Sequence, residues 1–111
     1  MSNSHQDRTA DNERVAHMQL HAGDAVDLMK ALANESRLMV LCALAEGERS
    51  VSELNEGIPL SQSALSQQLG RLRRENLVST RRESQTIYYS LVPGPVDKVI
   101  HLLHDIYCST T

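Results

Sequence analysis

Residues 50 to 76, SVSELNEGIPLSQSALSQQLGRLRREN, confine the chain to few folds, because they hold two helix starts with a helix break between them. Ser50 followed by Glu53 is a capping box: the Ser hydroxyl accepts from the third helical N–H while the Glu carboxylate accepts from the cap's own N–H. Gly57, Ile58 and Pro59 end that helix, since Pro offers no N–H and restricts the residue before it, and Ser61 supplies a second N-cap. The second helix is expected to run to about Asn76. Along it Leu65, Leu69 and Leu72 recur at i, i+4 and i+7, which predicts one buried stripe. Gln62, Ser63, Ser66, Gln67, Gly70, Arg71, Arg73 and Arg74 then point elsewhere. Gln and Ser hydrogen-bond base edges in a major groove, and Arg neutralises phosphates or reads guanine, which is the equipment of a recognition helix. A solvated polar face explains the same residues, so the neighbouring chain must decide.

The net charge of -3 runs against DNA binding until it is divided along the chain. Residues 61 to 90 carry five basic side chains (Arg71, Arg73, Arg74, Arg81, Arg82) against two acidic ones (Glu75, Glu83), so this segment is +3 and the remainder -6. A basic module on an acidic body favours one docking face. Phe and Trp are absent, so Leu, Val, Ile, Met and Ala must build the core of a chain of 111 residues, one domain by length.

Residues 1 to 14 are polar and aperiodic and read as a disordered tail, with the folded domain over 15 to 108. From Val15 to Leu32, Met18, Ala22, Ala25, Val26, Met29 and Leu32 keep helical spacing, weakened by Gly23. Asn34 caps a second helix ending near Gly47, whose Leu38, Val40, Leu41, Cys42, Ala43, Leu44 and Ala45 make it the central buried helix. After the recognition helix the period changes to two, over residues 77 to 82 and 87 to 91, predicting a β-hairpin. Its tip carries Arg81 and Arg82, placed for contacts to the DNA backbone. Pro93, Gly94 and Pro95 lead into a last helix with Val96, Val99, Ile100, Leu103, Ile106 and Tyr107 as its apolar stripe. The expected fold is thus mainly α with a small β-hairpin, a winged helix-turn-helix in the order α-α-α-α-β-β-α. No apolar run approaches a membrane span and the start lacks a signal peptide's apolar region, so a cytoplasmic location is expected.

Three phrases in this order, LMKALANESRLMVLCAL at 28 to 44, LSQSALSQQLGRLRRENLV at 60 to 78 and TIYYSL at 86 to 91, resemble the ArsR family of bacterial repressors over residues 22 to 108. The resemblance implies a homodimer formed by the first and last helices, with two recognition helices entering successive major grooves of palindromic double-stranded operator DNA. It places Gln62, Ser63, Ser66 and Gln67 in the groove and Arg81 and Arg82 on the wing.

Members of this family differ in what they sense. The resemblance implies that a metal sensor would carry cysteines in the first helix of the helix-turn-helix, or a paired Asp/His set spanning the last helix. Here the first place reads SELNEG, without cysteine. Asp97, His101 and His104 form half of the second, with His101 and His104 on one helix face. Tyr88 and Ser90 stand where the other half would be, so no metal is assigned and those three residues remain the candidates. The two cysteines, Cys42 and Cys108, are each readable as small apolar packing residues. Together, in LMVLCAL and HDIYC, they resemble the sulfide- and persulfide-responsive branch of BigR, SqrR and HlyU regulators. That resemblance implies a dithiol switch with reactive sulfur species as covalent effector: DNA is bound when the thiols are reduced and released when they are bridged. A metal-responsive repressor, a general redox sensor and a constitutive DNA binder stay open. No Cys-x-x-Cys motif, Gly-rich phosphate loop or acid/base set points to an enzyme, and no cofactor is expected.

Overall fold

The computed structural model describes residues 4 to 108. The chain divides into two compact units, residues 1 to 32 and 33 to 111. The first unit is one helix, α1 (Ser4–Leu32). The helix expected from Val15 therefore begins eleven residues earlier, and the part of the proposed tail within the described residues is helical. No Gly or Pro occurs between Ser4 and His21, Arg8, Ala10, Glu13 and Arg14 are good helix formers, and Arg14 pairs with Asp11 at 3.0 Å one turn away. Gly23 leaves the helix intact. Val15, Met18, Val26 and Met29 lie exposed along it.

The second unit begins with α2 (Glu35–Leu44), capped as expected by Asn34, whose side chain accepts from the Arg37 N–H at 2.9 Å. Val40, Leu41 and Leu44 are buried, whereas Met39 is exposed and Cys42 half-buried, so the helix is central on one side only. A turn through Gly47, at φ +137°, leads to β1 (Arg49–Ser50), an element the sequence pattern did not disclose. Ser50 is also the N-cap of α3 (Val51–Gly57). Both halves of its capping box are made: Glu53 N–H to Ser50 Oγ at 3.2 Å and Ser50 N–H to Glu53 Oε1 at 2.9 Å. That backbone donor holds the Glu53 carboxyl below its usual range.

Ser61 caps α4 (Gln62–Arg74) through a 3.1 Å bond from the Ala64 N–H. Leu65, Leu69 and Leu72 are each fully buried. The helix stops two residues short of Asn76 in a Schellman motif: Leu77 N–H bonds Leu72 O at 2.9 Å and Asn76 N–H bonds Arg73 O at 3.0 Å, with Asn76 at φ +63°. The chain then enters β2 (Val78–Glu83), turns at Ser84 (φ +57°) and returns as β3 (Thr86–Leu91). The register pairs Val78 with Leu91, Thr80 with Tyr89 and Arg81 with Tyr88. On its other edge β3 pairs with β1, Arg49 opposite Tyr89 and Ser50 opposite Tyr88, giving a three-stranded antiparallel sheet in the order β1-β3-β2.

Gly94, at φ +137°, turns the chain into α5 (Pro95–Tyr107), which begins on a proline. Val96 and Ile100 pack inward against α2, but Leu102, Ile106 and Tyr107 are exposed, so the expected stripe is buried only in its first half. The winged helix-turn-helix is therefore present, with one strand more than expected. No helix among the described residues is long and apolar enough to cross a membrane.

Asn76→Ala forces a left-handed φ on a Cβ with no side-chain amide to compensate, and is expected to cost about 1 kcal/mol of stability. Asn76→Gly should equal or exceed the parent. Chemical denaturation midpoints check the pair, and an unchanged midpoint for the Ala variant would show that the motif contributes nothing.

Candidate DNA interface and thiol pocket

The three buried leucines of α4 fix which side faces out. At about 100° per residue, Gln62, Ser63, Ser66 and Gln67 span an exposed arc of roughly 140° that begins at one edge of the leucine seam. Gly70, Arg73 and Arg74 continue that arc toward the C-terminus. The Arg74 guanidinium lies over Gly70, where an added Cβ would sit 3.4 Å from it. Arg71, at the edge, pairs with Glu75 at 3.4 Å. Short polar groups thus occupy the helix N-terminus and cations its last two turns, the division that base reading and phosphate contact require.

On the wing, the two arginines part company. Arg82 is exposed on β2. Arg81 faces the other way: its guanidinium bonds both carboxylate oxygens of Glu48 (Nε at 2.8 and 2.9 Å, Nη2 at 2.7 Å), reaches Glu83 at 3.0 Å and lies 4.7 Å over the Tyr88 ring. These partners hold it protonated, above its already high ordinary range. The tip itself is Ser84 and Gln85. Of the two wing residues expected at DNA, Arg82 has its charge free toward solvent and Arg81 has its charge engaged within the protein.

The cysteines come from distant parts of the chain to one cavity of about 570 Å³. Cys42 projects from α2 and Cys108 caps α5, and Met39, Glu46, Arg49, Leu54 and His104 share the lining. Both thiols are free; Cys42 is half-buried and Cys108 exposed. Burial pushes the Cys42 thiol above its usual range, and repulsion from the Cys108 thiolate adds to the rise, so the two are within electrostatic reach. Glu46 ties the rim together, with Arg49 at 3.2 Å and His104 Nε2 at 3.4 Å.

Of the candidate metal residues, Asp97 and His101 pair with each other and His104 does not join them. His101 Nδ1 lies 2.8 Å from the Asp97 backbone carbonyl and 2.9 Å from the Asp97 carboxylate, and the carbonyl bond chiefly raises its pKa. The stability this gives is present in acid and is lost as pH rises through the raised value. His104 faces Glu46 instead. No three His, Cys, Asp or Glu side chains among the described residues form a group that could hold a metal ion.

Residues 34 to 80 match the model for the arsR family of bacterial regulatory proteins. The transcriptional activator HlyU of Vibrio cholerae is 52% identical over 91 residues, 82% of this chain and 84% of that protein. The chain belongs to the ArsR family. It is a DNA-binding transcriptional regulator of that family, and not an enzyme. The biofilm growth-associated repressor of Xylella fastidiosa is 38% identical over 109 residues, covering 98% of this chain and 96% of its own. The solved structure of reduced HlyU from Vibrio cholerae superposes with a TM-score of 0.76 at 50% identity, over 84% of this chain and 98% of that one.

Sequence reasoning missed Glu46, Glu48 and Arg49. The segment EGER does alternate charges beside a glycine, which is a signal for a surface ion network, but its partners lie on other elements and could not be read locally.

On a duplex selected from random DNA, Gln67→Ala should weaken binding by about 1 to 3 kcal/mol with no change in salt dependence, because a base contact is lost. Arg74→Ala should weaken all sequences alike and lower the log–log salt slope by about one per arginine removed. Anisotropy titrations at several salt concentrations distinguish these patterns; the same slope for both variants would remove Arg74 from the phosphate set.

Proposed function

We propose that this regulator is switched by its two thiols: as a homodimer it binds palindromic operator DNA when Cys42 and Cys108 are reduced, and releases it when reactive sulfur species bridge them. The observation that carries this reading is the meeting of Cys42 and Cys108, 66 positions apart in sequence, at one open cavity between α2, α3 and the end of α5. That a relative is known in a form named as reduced supports it. The exposed apolar residues of α1 and the exposed end of α5 supply surface for a second copy. The DNA-binding and dimerisation machinery is assigned to residues 15 to 108.

The chemistry balances with a persulfide as oxidant. The Cys108 thiolate, the more accessible, attacks the outer sulfur of R–S–SH, forming Cys108–S–SH and expelling RS⁻. The Cys42 thiolate then attacks the Cys108 Sγ, forming the Cys42–Cys108 disulfide and expelling HS⁻. Two thiols are oxidised, the sulfane sulfur is reduced to sulfide, and the thiol protons go to RS⁻ and HS⁻. In a longer Cys108–S–S–SH, attack by the Cys42 thiolate on the sulfane sulfur bonded to Cys108 Sγ expels HS⁻ and leaves one extra sulfur atom within the bridge. The raised pKa of Cys42 suits it to the second step, where a more basic thiolate is the better nucleophile once formed. A coupling of about 1 to 3 kcal/mol between bridge and DNA would change occupancy several-fold to about a hundredfold.

Mass spectrometry after sodium tetrasulfide, peroxide and disulfide treatment tests the oxidant: sulfur atoms inserted between Cys42 and Cys108 by tetrasulfide alone are expected, and equal response to peroxide would make this a general redox sensor. Cys108→Ser should abolish bridging and leave reduced-state DNA affinity intact. Identical affinity of treated and reduced wild-type protein would end the thiol reading. Because the Cys42 thiol is raised, the second step should accelerate as pH rises through and beyond the ordinary thiol range, which quench-flow with alkylation reads directly.

A further inference from the structure

Four consecutive residues, 46 to 49, face two parts of the molecule. Glu46 and Arg49 pair with each other and line the thiol cavity, where Glu46 also meets His104 of α5. Glu48 turns away from the cavity and takes Arg81 of the wing in a bidentate pair. The sheet explains how a residue before β1 reaches β2. Ser50, Tyr88 and Arg81 form one cross-strand row over β1, β3 and β2, and Glu48, two residues before Ser50, falls on the same side by the period of a strand. The Arg81 guanidinium lies over the Tyr88 ring and meets Glu48 beyond it. An exposed single ion pair would hold little, but a bidentate carboxylate, a second carboxylate from Glu83 and an aromatic face together define one orientation of β2 relative to the turn.

We propose that Arg81 is a positioning residue of the wing and not a DNA ligand, and that the turn at residues 46 to 49 transmits the state of the thiol cavity to the wing; the second half rests on the thiol reading above. A bridge between Cys42 and Cys108 draws the end of α5 toward α2. His104, one turn before Cys108, moves with it and loads Glu46 and Arg49, and Glu48, between them, carries the displacement to Arg81. The wing then loses the orientation in which Arg82 meets the DNA backbone.

Glu48→Gln separates the alternatives by sign. If Arg81 were a phosphate ligand restrained by Glu48, removing the carboxylate would free a cation and tighten binding. As a positioning pair it should weaken binding by the reduced protein about three- to tenfold with an unchanged salt slope. Arg81→Gln should give the same loss, the double variant no more than either single one, and the swap Glu48→Arg with Arg81→Glu should recover most of it. Tighter or unchanged binding by Glu48→Gln, or a salt slope lowered by about one per arginine in Arg81→Gln, overturns the positioning role. Thermal unfolding of each variant guards against misfolding, and recovery in the swap keeps the test decisive if a single variant is destabilised. The transmission half is read from the ratio of affinities before and after sodium tetrasulfide, which should fall to about half the wild-type ratio or less in Glu48→Gln. An unchanged ratio overturns transmission. A wild-type ratio of one instead defeats the thiol reading and transmission with it, while the reduced-protein titrations still judge Arg81.

Discussion

The burial of Leu65, Leu69 and Leu72 along one side of α4 is the constraint on which the candidate DNA interface depends. Truncating any one of them to Ala would cost about 2 to 5 kcal/mol, a large share of the stability of a small domain. The helix therefore cannot roll about its axis without unburying a leucine. With the seam fixed, Gln62, Ser63, Ser66 and Gln67 have one place to be. Leu54 of α3, Ile58 at its C-cap and Val40, Leu41 and Leu44 of α2 complete the same core, so the turn between α3 and α4 is set by packing at both ends as well as by Pro59 and the Ser61 cap.

What could be read from the sequence was whatever is settled within a few residues. Asn34, Ser50 and Ser61 each cap with a donor or acceptor three positions away, and the leucine spacing of α4 is internal to one helix. The wing was legible for the same reason, since its strands are joined by a two-residue turn. Three features were not. β1 is two residues long, too short to show a period, and exists because the free edge of β3 gives its backbone partners. The upstream part of α1 carries no apolar stripe, and helix-forming composition without amphipathicity looks the same as a polar tail. Arg81 stands beside Arg82 in sequence, yet its partner Glu48 is 33 positions away, and only the sheet brings them together. Adjacent residues on a strand face opposite sides, so the period of two already places the two arginines on different faces of β2.

The thiol pair was legible in a different way, through resemblance and not through chemistry. Nothing local in LMVLCAL marks Cys42 as more than a small core residue, and it is half-buried. Its place at an open cavity shared with Cys108 follows from α2 and α5 packing against each other, a contact between segments some 60 residues apart. The same packing explains why the thiols differ. Cys42 sits on a helix whose opposite side is buried and feels desolvation; Cys108, at the end of α5, stands in water.

These magnitudes decide where a switch in such a fold must act. Allosteric coupling amounts to about 1 to 3 kcal/mol, whereas displacing even one core leucine costs as much or more. A proposed thiol bridge coupled to DNA binding by that amount is matched to contacts weaker than the packing of α2, α3 and α4. Contacts of the matching size lie at the perimeter, where ion pairs are exposed and hydrogen bonds exchange with water. In this molecule the perimeter contact that joins the cavity to the wing runs through Glu46, Arg49, Glu48 and Arg81, while the leucine seam fixes the recognition helix against the core. On that division of labour, the proposed thiol switch would shift the wing against a recognition helix that stays as it is, and affinity would change before the bases being read do.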